Sequence, residues 1–328
     1  MLVTGQNGAG KTNLLESLHV GTQGFSPRTR ADAQLVRFGA PAARVALDGH
    51  RGEVALRLEV TLSRSEGKQA AVNGGRLRAA EQLRGTVSTL VFTPDRLAVV
   101  KGGPAVRRAY FDRSLGRLAP ARAGLPLEYG AAVGQRNAGL RRVAAGLSSR
   151  DALTPWTERV AALGRALVEA RTEAIALLAP DFAERAGELG LPEARLAYSG
   201  EPPTTEALDA RLDRDVERGS TGLGPHLDDV AIVSGPRDLR SFGSQGEQRL
   251  AVLALLLAEA EAIVERLGVA PLLLLDDVLS ELDSARRLVL AERLAVTGQT
   301  LVTATDASSL PVSPSQLLEV TPGEVRAG

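Results

Sequence analysis

Eight residues near the amino terminus constrain this chain more than any others: Gly5-Gln6-Asn7-Gly8-Ala9-Gly10-Lys11-Thr12 satisfies G-x-x-x-x-G-K-[ST]. The pattern is a P-loop when it follows a strand and opens a helix. Leu2-Val3-Thr4 supplies the strand and Asn13-Leu14-Leu15-Glu16-Ser17-Leu18 the helix. Small residues let successive backbone N–H groups turn toward one anion, the lysine reaches the β/γ-phosphates, and the threonine hydroxyl can ligate Mg²⁺. The chain has only 3 lysines against 36 arginines, so a lysine at the required position is not a by-product of composition. Gly5 to Thr12 are therefore expected to bind ATP, with Lys11 acting on the transferred phosphate and Thr12 on the metal.

The other half of such a site lies far along the chain. Pro271-Leu272-Leu273-Leu274-Leu275-Asp276-Asp277 is an apolar strand ending in two acids, where a doubly wound sheet places its ligands. As a Walker B motif, Asp276 is expected to hold Mg²⁺, directly or through water, and Asp277 to orient or deprotonate the attacking water. Ser244-Gln245-Gly246-Glu247-Gln248 precedes it at the start of a long helix and resembles the S-x-G-x-[EQ] signature of the ATP-binding-cassette superfamily. A serine and a glycine at a helix N-terminus make an anion receptor, since free N–H groups and the positive end of the dipole coincide there. In that superfamily the receptor faces the γ-phosphate of the opposite subunit. The resemblance implies an ATP-dependent homodimer in which Ser244, Gly246, Glu247 and, from Ser280-Glu281-Leu282-Asp283, Asp283 contact nucleotide. Asp277 is one methylene shorter than the glutamate most cassette ATPases carry, which implies slow turnover.

Length and composition, 328 residues with 44% hydrophobic, allow two domains or one domain with a large insertion. With no cysteine there is no disulfide framework, thiol nucleophile or thiolate metal site. No apolar stretch approaches the roughly 18 to 20 residues of a membrane span, so a cytoplasmic protein without a membrane role is expected. Formal charge is zero, yet residues 101–150 carry 10 Arg/Lys against Asp112 and Glu128, leaving the remainder at 29 against 37. Such a basic segment attracts polyanions, and it also suits a solvated arginine-rich helix face.

Alternation of apolar and polar residues predicts strands in 45–60 and 70–91, with Asn73-Gly74-Gly75 as a hairpin turn and the β-branched run 86–92 completing an antiparallel layer. From Pro104 the period becomes helical, over 104–119, 126–147 and 151–178. A strand at 194–198, a helix at 204–218 and a strand at 229–233 follow. Helix 245–266, strand 272–276, helix 284–295 and strand 299–304 then alternate as in a parallel sheet. The expected fold is α/β: a P-loop ATPase head of the ATP-binding-cassette type over 1–103 and 219–328, with an antiparallel β layer, split by an inserted helical arm over 104–218.

Several segments carry a narrower resemblance. Ser26-Pro27-Arg28-Thr29-Arg30-Ala31-Asp32 with Leu35-Val36-Arg37-Phe38-Gly39 resembles the RecF family, as does Pro94-Asp95-Arg96-Leu97 followed by Gly103-Pro104-Ala105-Val106-Arg107-Arg108-Ala109-Tyr110-Phe111-Asp112. Gln135-Arg136-Asn137, Gly224-Pro225-His226, Asp228-Asp229 and the run Leu274 to Asp283 with Arg286-Arg287 extend it. The resemblance implies a recombination-repair ATPase that binds gapped, double-stranded and single-stranded DNA, hydrolyses ATP slowly, and with RecR and RecO helps load RecA. Arg107, Arg108, Arg136, Arg141 and Arg142 of the basic arm are the expected phosphate contacts, an expectation that charge and family share. Leu227 stands where the family pattern has arginine. Family chains usually begin with strands before the P-loop, whereas here Val3 almost starts the chain, so the sheet is expected to lack an edge.

The alternative is the ATPase subunit of a transporter. Against it stand the absence of a glutamine near Pro94, the absence of a histidine in Thr303-Ala304-Thr305-Asp306, and the long basic insertion. A chromosome-structural protein would need hundreds of coiled-coil residues where about 115 are available, and a small-molecule kinase leaves Ser244 and Asp283 without a role. His19, His50 and His226 are expected to be structural.

Overall fold

The computed structural model describes residues 1–29 and 31–328, so Arg30 of the Ser26-to-Asp32 motif lies outside the described residues. In chain order the elements are β1 (Leu2–Thr4), α1 (Lys11–Gln23), β2 (Ala42–Arg51), β3 (Val54–Ser63), β4 (Gly67–Val72), β5 (Gly75–Arg76), β6 (Thr89–Phe92), α2 (Ala98–Lys101), α3 (Pro104–Leu118), α4 (Leu125–Ala144) and α5 (Thr154–Glu188). There follow β7 (Ala194–Tyr198), α6 (Thr205–Asp209), α7 (Leu212–Arg218), β8 (Val230–Ser234), β9 (Arg237–Asp238), α8 (Leu239–Phe242), α9 (Gln245–Leu267), β10 (Leu272–Leu275), α10 (Ser284–Thr297), β11 (Thr300–Thr303), β12 (Leu317–Thr321) and β13 (Glu324–Ala327). The chain forms two compact units, Met1–Arg96 with Ile263–Gly328, and Leu97–Ala262. Segments 97–103 and 219–262, expected in the head, cluster instead with the helical unit.

The first unit is built on a six-stranded sheet of order β13-β12-β1-β11-β10-β6, parallel except for β13. Leu2, Val3, Leu273, Leu274 and Leu275 are fully buried, as expected of central parallel strands covered on both faces. The run 86–92 belongs here and not to the antiparallel layer: β6 pairs with β10 in parallel, Thr89 opposite Leu272 and Phe92 opposite Leu275. The β12–β13 hairpin fills the side of the sheet beyond β1, which therefore lies in the interior rather than beside an open edge.

The antiparallel layer is a four-stranded sheet of order β2-β3-β4-β5. The expected single strand over 45–60 is two, joined where Arg51 faces Val54 across Gly52-Glu53. Asn73 and Gly74, both with positive φ (48° and 79°), turn β4 into the short β5. Helix α1 packs against both sheets, with Val20 joining Leu58, Val60 and Leu62 on one side and Leu15 joining Val3, Val91 and Leu274 on the other.

In the second unit α3, α4 and α5 share a core of Leu115, Tyr129, Ala132, Val160, Leu167 and Ala170. Helix α5 continues through Pro180 to Glu188 because buried Leu178, Phe182 and Ala186 outweigh the missing N–H of the proline. The expected helix 204–218 is two, α6 and α7, and β7, β8 and β9 form a small antiparallel sheet. Among the described residues no helix is long and apolar enough to cross a membrane.

Candidate nucleotide site

The P-loop leaves the carboxyl end of β1 and its backbone is set by glycine. Gly5 has φ of 151°, and a Cβ there would sit 2.3 Å from the carbonyl oxygen of Val320 on β12. Gly10, at φ 114°, reverses the chain into the first turn of α1. Gln6, Asn7 and Gly8 are exposed at the mouth, while Ala9 turns inward beside Val3 and Val320. Lys11 Nζ folds back over the loop, donating to the carbonyls of Gly5 (2.6 Å) and Gln6 (3.1 Å).

Parallel pairing brings the acids to the same end of the sheet. Thr12 Oγ1 donates to the Asp276 carboxylate, at 2.9 Å from Oδ2 and 3.2 Å from Oδ1. Asp276 is 7% exposed, and its amide donates to Phe92 O (2.9 Å). Asp277 stands exposed beyond it with φ of 50°, rare for a residue with a side chain. The sequence reading missed Thr303: wholly buried at the end of β11, its hydroxyl donates to Asp276 Oδ1 (2.8 Å) and accepts the Asp277 N–H (2.9 Å). In the sequence, a hydroxyl residue ending a mostly apolar strand is the one local sign of it.

These residues suit Mg²⁺ and a triphosphate together. Among the described residues no cluster of three or more His, Cys, Asp or Glu could hold a metal alone. One carboxylate and one hydroxyl in contact, beside a glycine-shaped anion cradle, are what Mg²⁺ takes when substrate phosphates and water complete its shell.

Ser244 and Glu247 form a reciprocal cap at the start of α9: the Ser244 hydroxyl accepts the Glu247 N–H (3.2 Å) and the Glu247 carboxylate accepts the Ser244 N–H (2.8 Å). The Ser244 amide, then Arg237, holds the Glu247 carboxyl below its ordinary pKa. Ser244, Gln245 and Gly246 face outward at this helix end. Asp283 caps α10, accepting the Arg286 N–H (2.9 Å) and pairing with the Arg286 guanidinium (3.0 Å).

The arginine expectations divide. Arg107, 3% exposed, clasps Asp229 at 2.7 and 2.5 Å and donates to Gly102 O (2.8 Å), so it cannot reach a phosphate. Burial opposes ionisation of Asp229, but the bonds from Arg107 outweigh it and hold the carboxyl low. Arg136 is also withdrawn from solvent, wholly buried on Asp215 (2.8 Å) and Thr221 (2.9 Å). Both are corrected from expected DNA contacts to structural cations, because each guanidinium is itself buried and directs its bonds to neighbouring acceptors of the same chain, away from an external anion. Arg108 is half-buried and donates to Asp228 O (2.5 Å). Arg141 and Arg142, at the end of α4, are exposed.

His226 Nε2–H donates to Thr221 O (3.0 Å), its Nδ1 lies 2.8 Å from Tyr129 Oη, and burial lowers its pKa. His19 Nδ1 lies 2.9 Å from Phe25 O, and His50 is exposed on β2. Leu227 is 56% exposed.

A P-loop and a Walker B carboxylate meeting at the carboxyl end of a mainly parallel sheet, with a capped signature helix and an added antiparallel layer, define a P-loop ATPase head of the ATP-binding-cassette type. Residues 1–325 match the RecF/RecN/SMC N terminal domain family. The chain is 39% identical over 326 residues to the DNA replication and repair protein RecF of Anaeromyxobacter dehalogenans (strain 2CP-1 / ATCC BAA-258), covering 93% of this chain and 86% of the relative. It is 37% identical over 331 residues to RecF of Myxococcus xanthus (strain DK1622), covering 94% and 85%. The chain belongs to the RecF family. The solved structure of the recombination mediator protein RecF-ATP in the RecFOR pathway superposes with a TM-score of 0.86 at 27% identity, covering 100% of this chain and 91% of that one. An Smc head bound to the C-winged helix domain of ScpA shares the fold, with a TM-score of 0.60 at 16% identity. Neither the relatives nor the solved structures support a transporter subunit.

Proposed function

We propose that this chain is an ATP-dependent DNA-binding protein of recombinational repair and replication, acting as a slow, DNA-stimulated ATPase switch. It dimerises on ATP, binds gapped, double-stranded and single-stranded DNA, and works in the cytoplasm with RecR- and RecO-type partners to load a RecA-type protein. The observation that carries the reading is the near-full-length agreement with RecF bound to ATP. The contact of Thr12 with Asp276 supports it chemically.

In this mechanism the P-loop amides and Lys11 hold the phosphates, Lys11 exchanging the carbonyls of Gly5 and Gln6 for phosphate oxygens. Thr12 and Asp276 would hold Mg²⁺, which would supply charge neutralisation to the phosphate oxygens when bound. Asp277, exposed at the strand end, orients water and accepts its proton. Ser244, Gly246 and Glu247 present the α9 N-terminus to the γ-phosphate of a second copy, and Asp283 is a further nucleotide contact.

Sedimentation with ATP tests the composite site. Ser244→Arg is expected to bind ATP within about threefold of the parent yet remain monomeric, because a bulky cation fills the receptor for the facing phosphate. If Ser244 only caps α9, both Ser244→Ala and Ser244→Arg cost about 1 kcal/mol of stability and dimerise normally. A monomer–dimer equilibrium in Ser244→Arg like that of the parent refutes the composite site.

The exposed end of α4 carries the DNA expectation. Removing both Arg141 and Arg142 is expected to reduce the slope of log K against log salt by about 1.8, at roughly 0.9 per phosphate contact, equally on duplexes of different base sequence. An unchanged slope removes this helix end from the interface.

A further inference from the structure

We propose that Thr303 is the positioning residue of the hydrolytic site, holding both acids through one hydroxyl. The inference rests on the ATPase reading above. It starts from topology: β11 lies between the P-loop strand β1 and the Walker B strand β10, so its carboxyl end opens between Lys11-Thr12 and Asp276-Asp277. Thr303 is the last residue of that strand and is wholly buried.

A hydroxyl has one proton, and its only possible donation here is to the Asp276 carboxylate, at 2.8 Å from Oδ1. The lone pairs are then left for the Asp277 N–H at 2.9 Å. These two bonds fix different things. The first orients the carboxylate and leaves Oδ2 as the oxygen nearer Thr12 (2.9 Å against 3.2 Å), the hydroxyl that would share Mg²⁺ with it. The second holds the peptide that carries Asp277 in its left-handed conformation, φ 50°, which persists only where neighbours over-determine it. That backbone angle sets the direction in which the Asp277 side chain leaves the strand, and hence where a water would be held. Neither bond of Thr303 involves Thr12 or Lys11, so Thr303 can keep both where Thr12 and Asp276 would hold Mg²⁺. Thr303 therefore acts on catalysis through Asp276 and Asp277 and need not touch nucleotide.

Steady-state hydrolysis on the full chain tests this, with ATP binding, thermal melting and half-saturating Mg²⁺ measured on the same preparations. Thr303→Val keeps the shape and loses the hydroxyl; it is expected to lower kcat about 10- to 100-fold, the loss of one hydrogen bond to a charged group, with KM within about threefold and half-saturating Mg²⁺ raised. Thr303→Ser restores the hydroxyl and is expected to recover kcat to within about threefold, and Thr303→Ala serves as the second hydroxyl-free variant should the valine protein fail to fold. A merely structural role predicts instead that Ser and Val lose activity together, in step with melting temperature. Parent-like kcat in either hydroxyl-free variant, or a serine variant as impaired as valine, overturns the proposal. A parent that binds ATP without hydrolysing it under any DNA condition overturns the ATPase reading itself, a result read before any variant is compared.

Discussion

Lys11→Ala is expected to bind ATP about a hundredfold more weakly than the parent and to form no ATP-dependent dimer, while its melting temperature without nucleotide stays within about 1 °C. The affinity loss follows from removing the charge-assisted bonds a lysine makes to phosphate oxygens, roughly 1.5–3 kcal/mol each, where every 1.4 kcal/mol is tenfold. The unchanged stability follows from the position of the side chain. Lys11 Nζ rests on two carbonyls of its own loop, one of them at the exposed mouth, and supports no core residue. The loop is shaped instead by Gly5 against Val320 and by Gly10 at the start of α1, which the substitution leaves alone. Calorimetric titration with ATP, paired with melting curves with and without nucleotide, checks both parts. Parent-like affinity would show that Lys11 does not hold the phosphates of bound ATP.

The P-loop, the two acids and the order of the motifs were legible in the sequence because each is written in a few consecutive residues. The meeting of Thr12 with Asp276 was legible only through fold logic, since it depends on β1, β11 and β10 lying in register. The strand at 86–92 was legible as a strand and its place was not: a β-branched run reads alike whether it pairs with the preceding hairpin or, as here, with four leucines far along the chain. The β12–β13 hairpin carries short strands, β13 exposed throughout, that extend the sheet beyond β1, and nothing local announces that. Arginine burial is the instructive failure. Counting charges over 101–150 treats every guanidinium as solvated, whereas helical spacing places Arg136 in one stripe with Tyr129, Ala132, Val133 and Leu140, and Arg107 in one with Tyr110, Phe111, Ser114 and Leu118. The period that identified the helices already pointed those two cations inward; their carboxylate partners, Asp215 and Asp229, are too distant in sequence to be paired by inspection.

Arg136→Ala is therefore expected to behave as a folding variant and not as a DNA-binding one. Arg136 and Asp215 are 0% and 1% exposed at the side chain, 2.8 Å apart, and the guanidinium also donates to Thr221 Oγ1 and Thr157 Oγ1. Asp215 in turn accepts the Gly222 N–H (3.1 Å), so the carboxylate ties the end of α7 to the turn after it. Removing the cation leaves a buried carboxylate without its counter-charge, which costs about 3–5 kcal/mol, against the 0–1 kcal/mol typical of exposed pairs such as Arg150 with Asp213. For a chain of this size that corresponds to a fall in melting temperature of about 4–7 °C. The double variant Arg136→Met with Asp215→Leu removes both charges together and is expected to recover much of that loss, because the penalty lies in the orphaned carboxylate and not in the missing attraction. Salt dependence separates the two roles: the folded fraction of Arg136→Ala should keep the parent slope of log K against log salt, whereas removing exposed Arg141 and Arg142 should change the slope and spare the melting temperature. A stable Arg136→Ala protein with a shallower slope would return this residue to the DNA interface and refute its assignment as a buried structural cation.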